Sequence, residues 1–109
     1  MTVSTHVLDA SAGQPAAGVA VSLSFAALPG GWVAVESGET DGDGRYRFAV
    51  ATEPGTYRLV FGTGAYFMAR GVAAFYPEVT ITFTVAEPGV HYHVPLLLSP
   101  FAYSTYRGS

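Results

Sequence analysis

Three histidines, His6, His91 and His93, are the only side chains of this 109-residue chain whose ordinary pKa lies near neutrality, cysteine being absent. An imidazole with that pKa can take a proton from water and return it later in the same reaction. His91 and His93 lie two apart in a β-favouring run, so an extended chain sends both rings to the same side of a sheet. His6 falls in the alternating segment Thr2 to Leu8, on the face of Ser4 and Leu8 and opposite Val3, Thr5 and Val7. Arg45 closes the loop Asp41-Gly42-Asp43-Gly44 and projects away from the core side of the strand that follows. Its guanidinium could pair with Asp41, Asp43 or Glu39, an exposed contact of about 0–1 kcal/mol, or present a planar donor fork to a ligand's oxygens. The ending Tyr106-Arg107-Gly108-Ser109 combines a phenol, a guanidinium, a hinge and a hydroxyl.

Other chemistries have less support in the residues. His91-Tyr92-His93 is a possible zinc ligand pair that a third histidine could complete, leaving one position for water. Carboxylates to orient such ligands are scarce near these strands, so no metal or other cofactor is expected. The Asp41-Gly42-Asp43-Gly44 loop lacks the spaced ligands and closing Glu of a calcium loop. No Gly-x-Ser-x-Gly elbow exists for a serine nucleophile. A lone strand histidine is more often a surface or hydrogen-bonded structural residue, and His91, next to Gly89-Val90, is read that way.

The elements that must position these residues are short strands punctuated by Gly, Pro and Asp. Thr2 to Leu8 alternates, and Ser11 to Pro15 turns. Val19, Val21, Leu23 and Phe25 point one way and Ala20, Ser22 and Ser24 the other, as in a half-buried strand. Leu28 to Gly31 turns into a strand over Trp32 to Glu36, and Gly38 to Gly44 reads as a glycine-rich loop. A strand is predicted over Arg45 to Ala51 with Tyr46, Phe48 and Val50 inward, and another over Thr56 to Phe61. Gly64 to Arg70 is the one helical stretch, marginal without packing. Val79, Ile81, Phe83 and Val85 alternate with three threonines. The turn Glu87-Pro88-Gly89 leads to a strand whose Leu96-Leu97-Leu98 supplies apolar residues to both faces, and Phe101 to Tyr106 is again β-favouring. About eight short strands with regular turns indicate an all-β, two-sheet sandwich with one short helix.

The run His93-Val94-Pro95-Leu96-Leu97-Leu98-Ser99-Pro100, followed by Tyr103 to Ser109 (Tyr-Ser-Thr-Tyr-Arg-Gly-Ser), resembles the C-terminal signature of the 5-hydroxyisourate hydrolases, the transthyretin-related enzymes of urate breakdown. Ser4 to Asp9, Gly13 to Gly18 and Thr40 to Arg45 match the same family in order, so the resemblance spans nearly the whole chain. Transthyretin itself shares Leu-Leu-Ser-Pro and Tyr-Ser-Thr but lacks the histidine before Val-Pro and the Tyr-Arg-Gly-Ser ending. The resemblance implies a transthyretin-like sandwich and a metal-free, cofactor-free hydrolysis of a cyclic amide bond in 5-hydroxyisourate. It also implies catalytic roles for His6, Arg45, His93 and Ser109, and substrate contacts from His6, Arg45, Tyr106, Arg107 and Gly108. Which histidine is the base is left open. The second function class is a transthyretin-like carrier of a hormone or small ligand, and the third a structural sandwich with neither activity nor ligand.

Composition bounds these expectations. The length fits a single domain, residues 1–109. Charged residues are 12% of the chain, against about 25% in typical soluble domains, so much of the surface is neutral or apolar and an oligomer, by resemblance a homotetramer, is expected. A net charge of −3 with five arginines, no lysine and no basic stripe argues against nucleic acid. No apolar run reaches the length of about 18 residues that a membrane helix requires. No leader is read ahead of Thr2-Val3-Ser4, and the ending is not a Ser-Lys-Leu tail, so a cytoplasmic location is expected.

Overall fold

The computed structural model describes residues 2–27, 29–49, 53–87 and 89–109. Among them the chain forms β1 (Thr2–Asp9), β2 (Gln14–Pro15), β3 (Ala20–Ala27), β4 (Gly31–Glu39), β5 (Arg45–Phe48), β6 (Gly55–Phe61), α1 (Thr63–Met68), β7 (Val79–Val85), β8 (His91–Ser99) and β9 (Ala102–Thr105). One sheet runs β2-β1-β8-β9, with β5 also on β1, and the other runs β4-β3-β6-β7. The expected all-β, two-sheet architecture with one short helix is therefore what the chain adopts.

Strict alternation makes the two faces of the first sheet. In β1, Val3, Thr5, Val7 and Asp9 are buried, while Thr2, Ser4, His6 and Leu8 are half-buried on the opposite face. In β8, Tyr92, Val94, Leu96 and Leu98 face inward, and Leu97 is half-buried, so the leucine run is less evenly buried on its two faces than its apolarity suggests. The inward sets meet Val21, Leu23, Leu59, Phe61, Val79 and Val85 from the second sheet. At its end the aromatic rings of Phe25, Tyr57 and Phe83 pack in series, with centroids 5.0 and 6.1 Å apart. Burial of this apolar surface is the main favourable term.

The helix is six residues long, beginning one residue before the predicted stretch and ending two before Arg70. So short a helix is not stable alone; Tyr66 and Phe67, both buried, dock it. The Tyr66 hydroxyl donates to Asp9 Oδ2 at 2.8 Å, and the Arg70 guanidinium lies 3.8 Å over the Tyr66 ring. Asp9 Oδ1 accepts from the Ser11 hydroxyl and from the Ser11 and Ala12 N–H groups. Desolvation would raise the Asp9 pKa, but the bonds from Ser11, Tyr66 and Ala12 together hold it below its ordinary 3.8. Burial, together with the Asp9 bond, pushes the Tyr66 phenol up to about 12. The pair therefore stays carboxylate and phenol near neutrality and ties the helix to the end of β1.

Three local expectations are corrected. Gly38 and Glu39 belong to β4, paired with Val21 and Ala20 across a bulge at Leu23/Ser24, so the loop begins only at Thr40. Thr40 is itself buried, accepting from the Val19 N–H and donating to the Ala16 carbonyl. Within the expected turn over Ser11 to Pro15, Gln14 and Pro15 add a two-residue strand to β1. The strand beginning at Arg45 ends at Phe48, and its predicted continuation through Val50 and Ala51 lies outside the described residues, as do Leu28 and Pro88 of two predicted turns.

The β1–β8 pairing decides the site. It is parallel, with Thr2 opposite His91, Ser4 opposite His93 and His6 opposite Pro95. On the other side of β8, β9 pairs antiparallel from Ser99↔Ala102 to Leu96↔Thr105. The ladder then lapses at Pro95, which has no N–H to donate, and the Thr105 hydroxyl takes the Pro95 carbonyl at 2.7 Å. It resumes at His93↔Gly108, where the Gly108 N–H donates to the His93 carbonyl at 2.8 Å.

Candidate active site

Cross-strand register brings together residues from both ends and the middle of the chain. Arg47 of β5 lies opposite Ser4 of β1, Ser4 opposite His93 of β8, and His93 opposite Gly108. Arg45 lies opposite His6 in the adjacent position. The loop before β5 fixes that placement. Asp41 Oδ1 accepts from the Asp43 and Arg45 N–H groups, bonds that, with the nearby Arg45 and His6 charges, hold the Asp41 carboxyl below its ordinary 3.8. Gly44 has φ +76° and packs so closely under the Val7 carbonyl that a β-carbon there would collide with it, so both backbone conformation and space require glycine.

A cavity of about 550 Å³ opens on this face, lined by Ser4, Asp41, Arg45, Arg47 and His93 among others. A smaller one of about 240 Å³ lies on the far side of His93, between Tyr92, Phe83, Tyr106 and Arg107. His93 borders both. A larger cavity, about 660 Å³, lies beside α1 among Met68, Val72, Phe75 and Pro77 and carries no histidine, arginine or carboxylate. The imidazole and guanidinium groups that can move a proton or meet a negative charge line the two smaller cavities and not this one.

Hydrogen-bond partners settle what each ring can do. His6 Nε2 lies 2.9 Å from the Asp43 carbonyl; a carbonyl only accepts, so Nε2 carries the proton and Nδ1 is the free nitrogen. His93 Nδ1 lies 2.8 Å from Ser4 Oγ, which leaves Nε2 for a ligand. Burial lowers the His93 pKa below its ordinary 6.5, and the charges of Arg45, His91 and His6 lower it further, while a bond with Ser4 works the other way. His93 is therefore neutral near pH 7, the state a general base needs. His91, read from the sequence as a surface or hydrogen-bonded residue, is exposed and is hydrogen-bonded: its Nε2 lies 2.8 Å from the same Ser4 Oγ, and its Nδ1 bonds the Thr2 hydroxyl.

The terminal residues do not converge equally. Gly108 packs against the His93 ring so closely that a β-carbon would strike Cδ2. Tyr106 is 59% exposed at the rim of the smaller cavity. The Arg107 guanidinium lies 4.8 Å over the Tyr92 ring, on the inward face of β8, rather than beside Arg45. Ser109, exposed, follows Gly108 beyond the bridge to His93. Sequence reasoning singled out neither Ser4 nor Arg47 for a role here; the two-residue spacing of Arg47 from Arg45 was the available signal for the second. Among the described residues no three His, Cys, Asp or Glu side chains are arranged to hold a metal ion.

Known proteins resemble the chain throughout its length. The model of the HIUase/Transthyretin family matches residues 3–108. The 5-hydroxyisourate hydrolase of Salmonella typhimurium is 44% identical over 98% of this chain and 80% of its own. The structure of Klebsiella pneumoniae 5-hydroxyisourate hydrolase superposes with a TM-score of 0.88 at 39% identity, covering 100% of both chains. Sea bream transthyretin in complex with thyroxine superposes with a TM-score of 0.90 at 35% identity, covering 97% of this chain and 93% of that one.

Proposed function

Because this chain belongs to the HIUase/Transthyretin family and its relatives include proteins named 5-hydroxyisourate hydrolase, we infer that it is an enzyme hydrolysing 5-hydroxyisourate, with 2-oxo-4-hydroxy-4-carboxy-5-ureidoimidazoline as the ring-opened product, in urate degradation. The observation that carries the reading is the placement of a neutral imidazole, His93, in a cavity with two guanidiniums, those of Arg45 and Arg47. That cavity is suited to activating water beside a carbonyl whose oxygen gains negative charge.

In the mechanism we propose, His93 Nε2 removes a proton from water as it adds to the ring carbonyl. Arg45 meets the developing oxyanion with its donor fork, an interaction stronger in the transition state than with the neutral carbonyl. His6, held through Nε2 by the Asp43 carbonyl, offers Nδ1 to the substrate. Gly108 keeps the His93 ring in place, and Tyr106, Arg107 and Ser109 form the rim. No metal is assigned a step. A carrier of the sea bream transthyretin kind would need a mostly apolar wall for the aromatic rings of its ligand, whereas this cavity presents two arginines, two carboxylates and a histidine.

Freshly generated 5-hydroxyisourate, followed by its ultraviolet absorbance, is expected to decay faster in proportion to added protein. Decay at the spontaneous rate would refute the activity.

We further propose a homotetramer. Met68, Phe75 and Phe101 are 79, 71 and 68% exposed, and large apolar side chains left open on a chain of low charge favour association. Light scattering at micromolar concentration should report four chains; a stable, active monomer would overturn the proposal. No described helix is long and apolar enough to cross a membrane, and we place the enzyme in the cytoplasm, which its recovery in a secreted or membrane fraction would contradict.

A further inference from the structure

The hydrogen bonds that tie His93 to the protein continue beyond it. Ser4 Oγ lies 2.8 Å from His93 Nδ1 and 2.8 Å from His91 Nε2, and His91 Nδ1 bonds the Thr2 hydroxyl. A serine hydroxyl has one proton to give. If Ser4 gives it to one ring, the other ring must donate to Ser4, so the tautomers of His91 and His93 are locked to each other. Two arrangements satisfy every bond. In one, His93 carries its proton on Nδ1 and leaves Nε2 bare; in the other, every proton in the chain has moved over by one bond and His93 Nε2 is protonated.

We propose that Thr2, His91, Ser4 and His93 form a proton relay that lets His93 act first as base and then as acid without becoming an imidazolium, with His91 and Ser4 as positioning and relay residues. The proposal rests on the hydrolase reading above. When water adds to the ring carbonyl, its proton goes to His93 Nε2. The Nδ1 proton passes to Ser4 Oγ, the Ser4 hydroxyl proton to His91 Nε2, and the His91 Nδ1 proton out through Thr2 to solvent. When the carbon–nitrogen bond breaks, the leaving ureido nitrogen takes the Nε2 proton, and the chain runs backward with a proton drawn from solvent. The carboxylic acid so formed ionises on its own near neutrality. Protons balance: one leaves and one returns through the relay, and the net proton released is the acid's.

Electrostatics gives the relay its purpose. The titratable and charged groups around His93 include Arg45 and Arg47 from β5, His6 from β1, His91 from its own strand, Tyr106 and Arg107 across the smaller cavity, and Asp41 and Glu39 across the other. Two guanidiniums disfavour a third positive charge, and the depressed His93 pKa reflects burial and the neighbouring positive charges. Exchanging tautomers avoids that charge. The exposed His91 gives the chain its outlet.

Ser4→Ala, Ser4→Thr and His91→Ala test the relay, with kcat and KM for 5-hydroxyisourate measured at low buffer concentration and again with added imidazole. General acid–base catalysis supplies about 10²–10⁴-fold, and losing its proton outlet should cost part of this, about tenfold in kcat, in Ser4→Ala and His91→Ala with KM unchanged. Ser4→Thr, which keeps a hydroxyl, should retain the parent kcat. Imidazole should raise kcat in His91→Ala and leave the parent unaffected. A His91→Ala enzyme with the parent kcat at low buffer would overturn the relay. So would a loss that imidazole does not recover, a rise in KM in place of a fall in kcat, or a folded Ser4→Thr as slow as Ser4→Ala. A parent chain inert toward 5-hydroxyisourate would remove the hydrolase reading and the relay together, whereas an active parent with an unimpaired His91→Ala variant removes the relay alone.

Discussion

A chain ending at Thr105 should fold and assemble like the parent yet lose at least about 100- to 1000-fold in turnover, the usual cost of removing one group aimed at developing charge. Little of the fold depends on the four residues removed. Tyr106, Arg107 and Ser109 are exposed and none of the four belongs to the buried core. The protein loses the bond from the Gly108 N–H to the His93 carbonyl and the Arg107 contact with Tyr92. The first is at the edge of the sheet, and the second involves a single core ring. The His93 ring, however, loses the backbone it packs against at Gly108, and a base displaced by an ångström loses the alignment that proximity supplies. Initial rates and thermal melts on the same samples check this. A truncated enzyme with an unchanged melt and near-parent turnover would reduce the terminus to edge packing.

His93→Ala and Arg45→Ala are the other large losses expected, each about 100- to 1000-fold in kcat, and pH separates their roles. His93 is held below its ordinary 6.5, so the parent rate should be flat near neutrality and fall as pH drops below 6.5 through the depressed value, where the base becomes protonated. Arg45 is one of the charges that depress it. In Arg45→Ala that repulsion is gone, and the acid limb of the residual activity should move up, toward 6.5. In His93→Ala this limb should vanish. Rate against pH, taken for parent and both variants, decides the matter; an unmoved limb in Arg45→Ala would detach the guanidinium from the base.

Strands that carry their own alternation could be recognised from the sequence. Val21, Leu23 and Phe25, and Val79, Ile81, Phe83 and Val85, separate inward from outward residues as their pattern predicts. His6, His91 and His93 likewise fall on the outward face of their strands. Boundaries that depend on a partner could not be read. Gly38 has no β preference and joins β4 only because Val21 faces it, and the lapse between β9 and Gly108 comes from Pro95 on the neighbouring strand. The same limit applies to the site. Local pattern puts Ser4 and His93 each on a face, but that Ser4 stands between two histidines follows from the parallel register of strands far apart in sequence.

That register also has a kinetic side. Hairpins such as β3–β4 and β8–β9 close short loops, but Ser4 and His93 are 89 residues apart. Loop-closure entropy grows slowly, about 0.6 kcal/mol for each doubling of length, so the long closure costs little in final stability. In rate it costs more, since non-local parallel pairing is intrinsically slow. Much of the second sheet can assemble from neighbours in sequence, whereas the histidine pair, its bridging serine and the arginines of β5 meet only after the first strand has found the eighth. On that ground the chain is expected to become compact before it becomes competent, with the chemistry the property it acquires last.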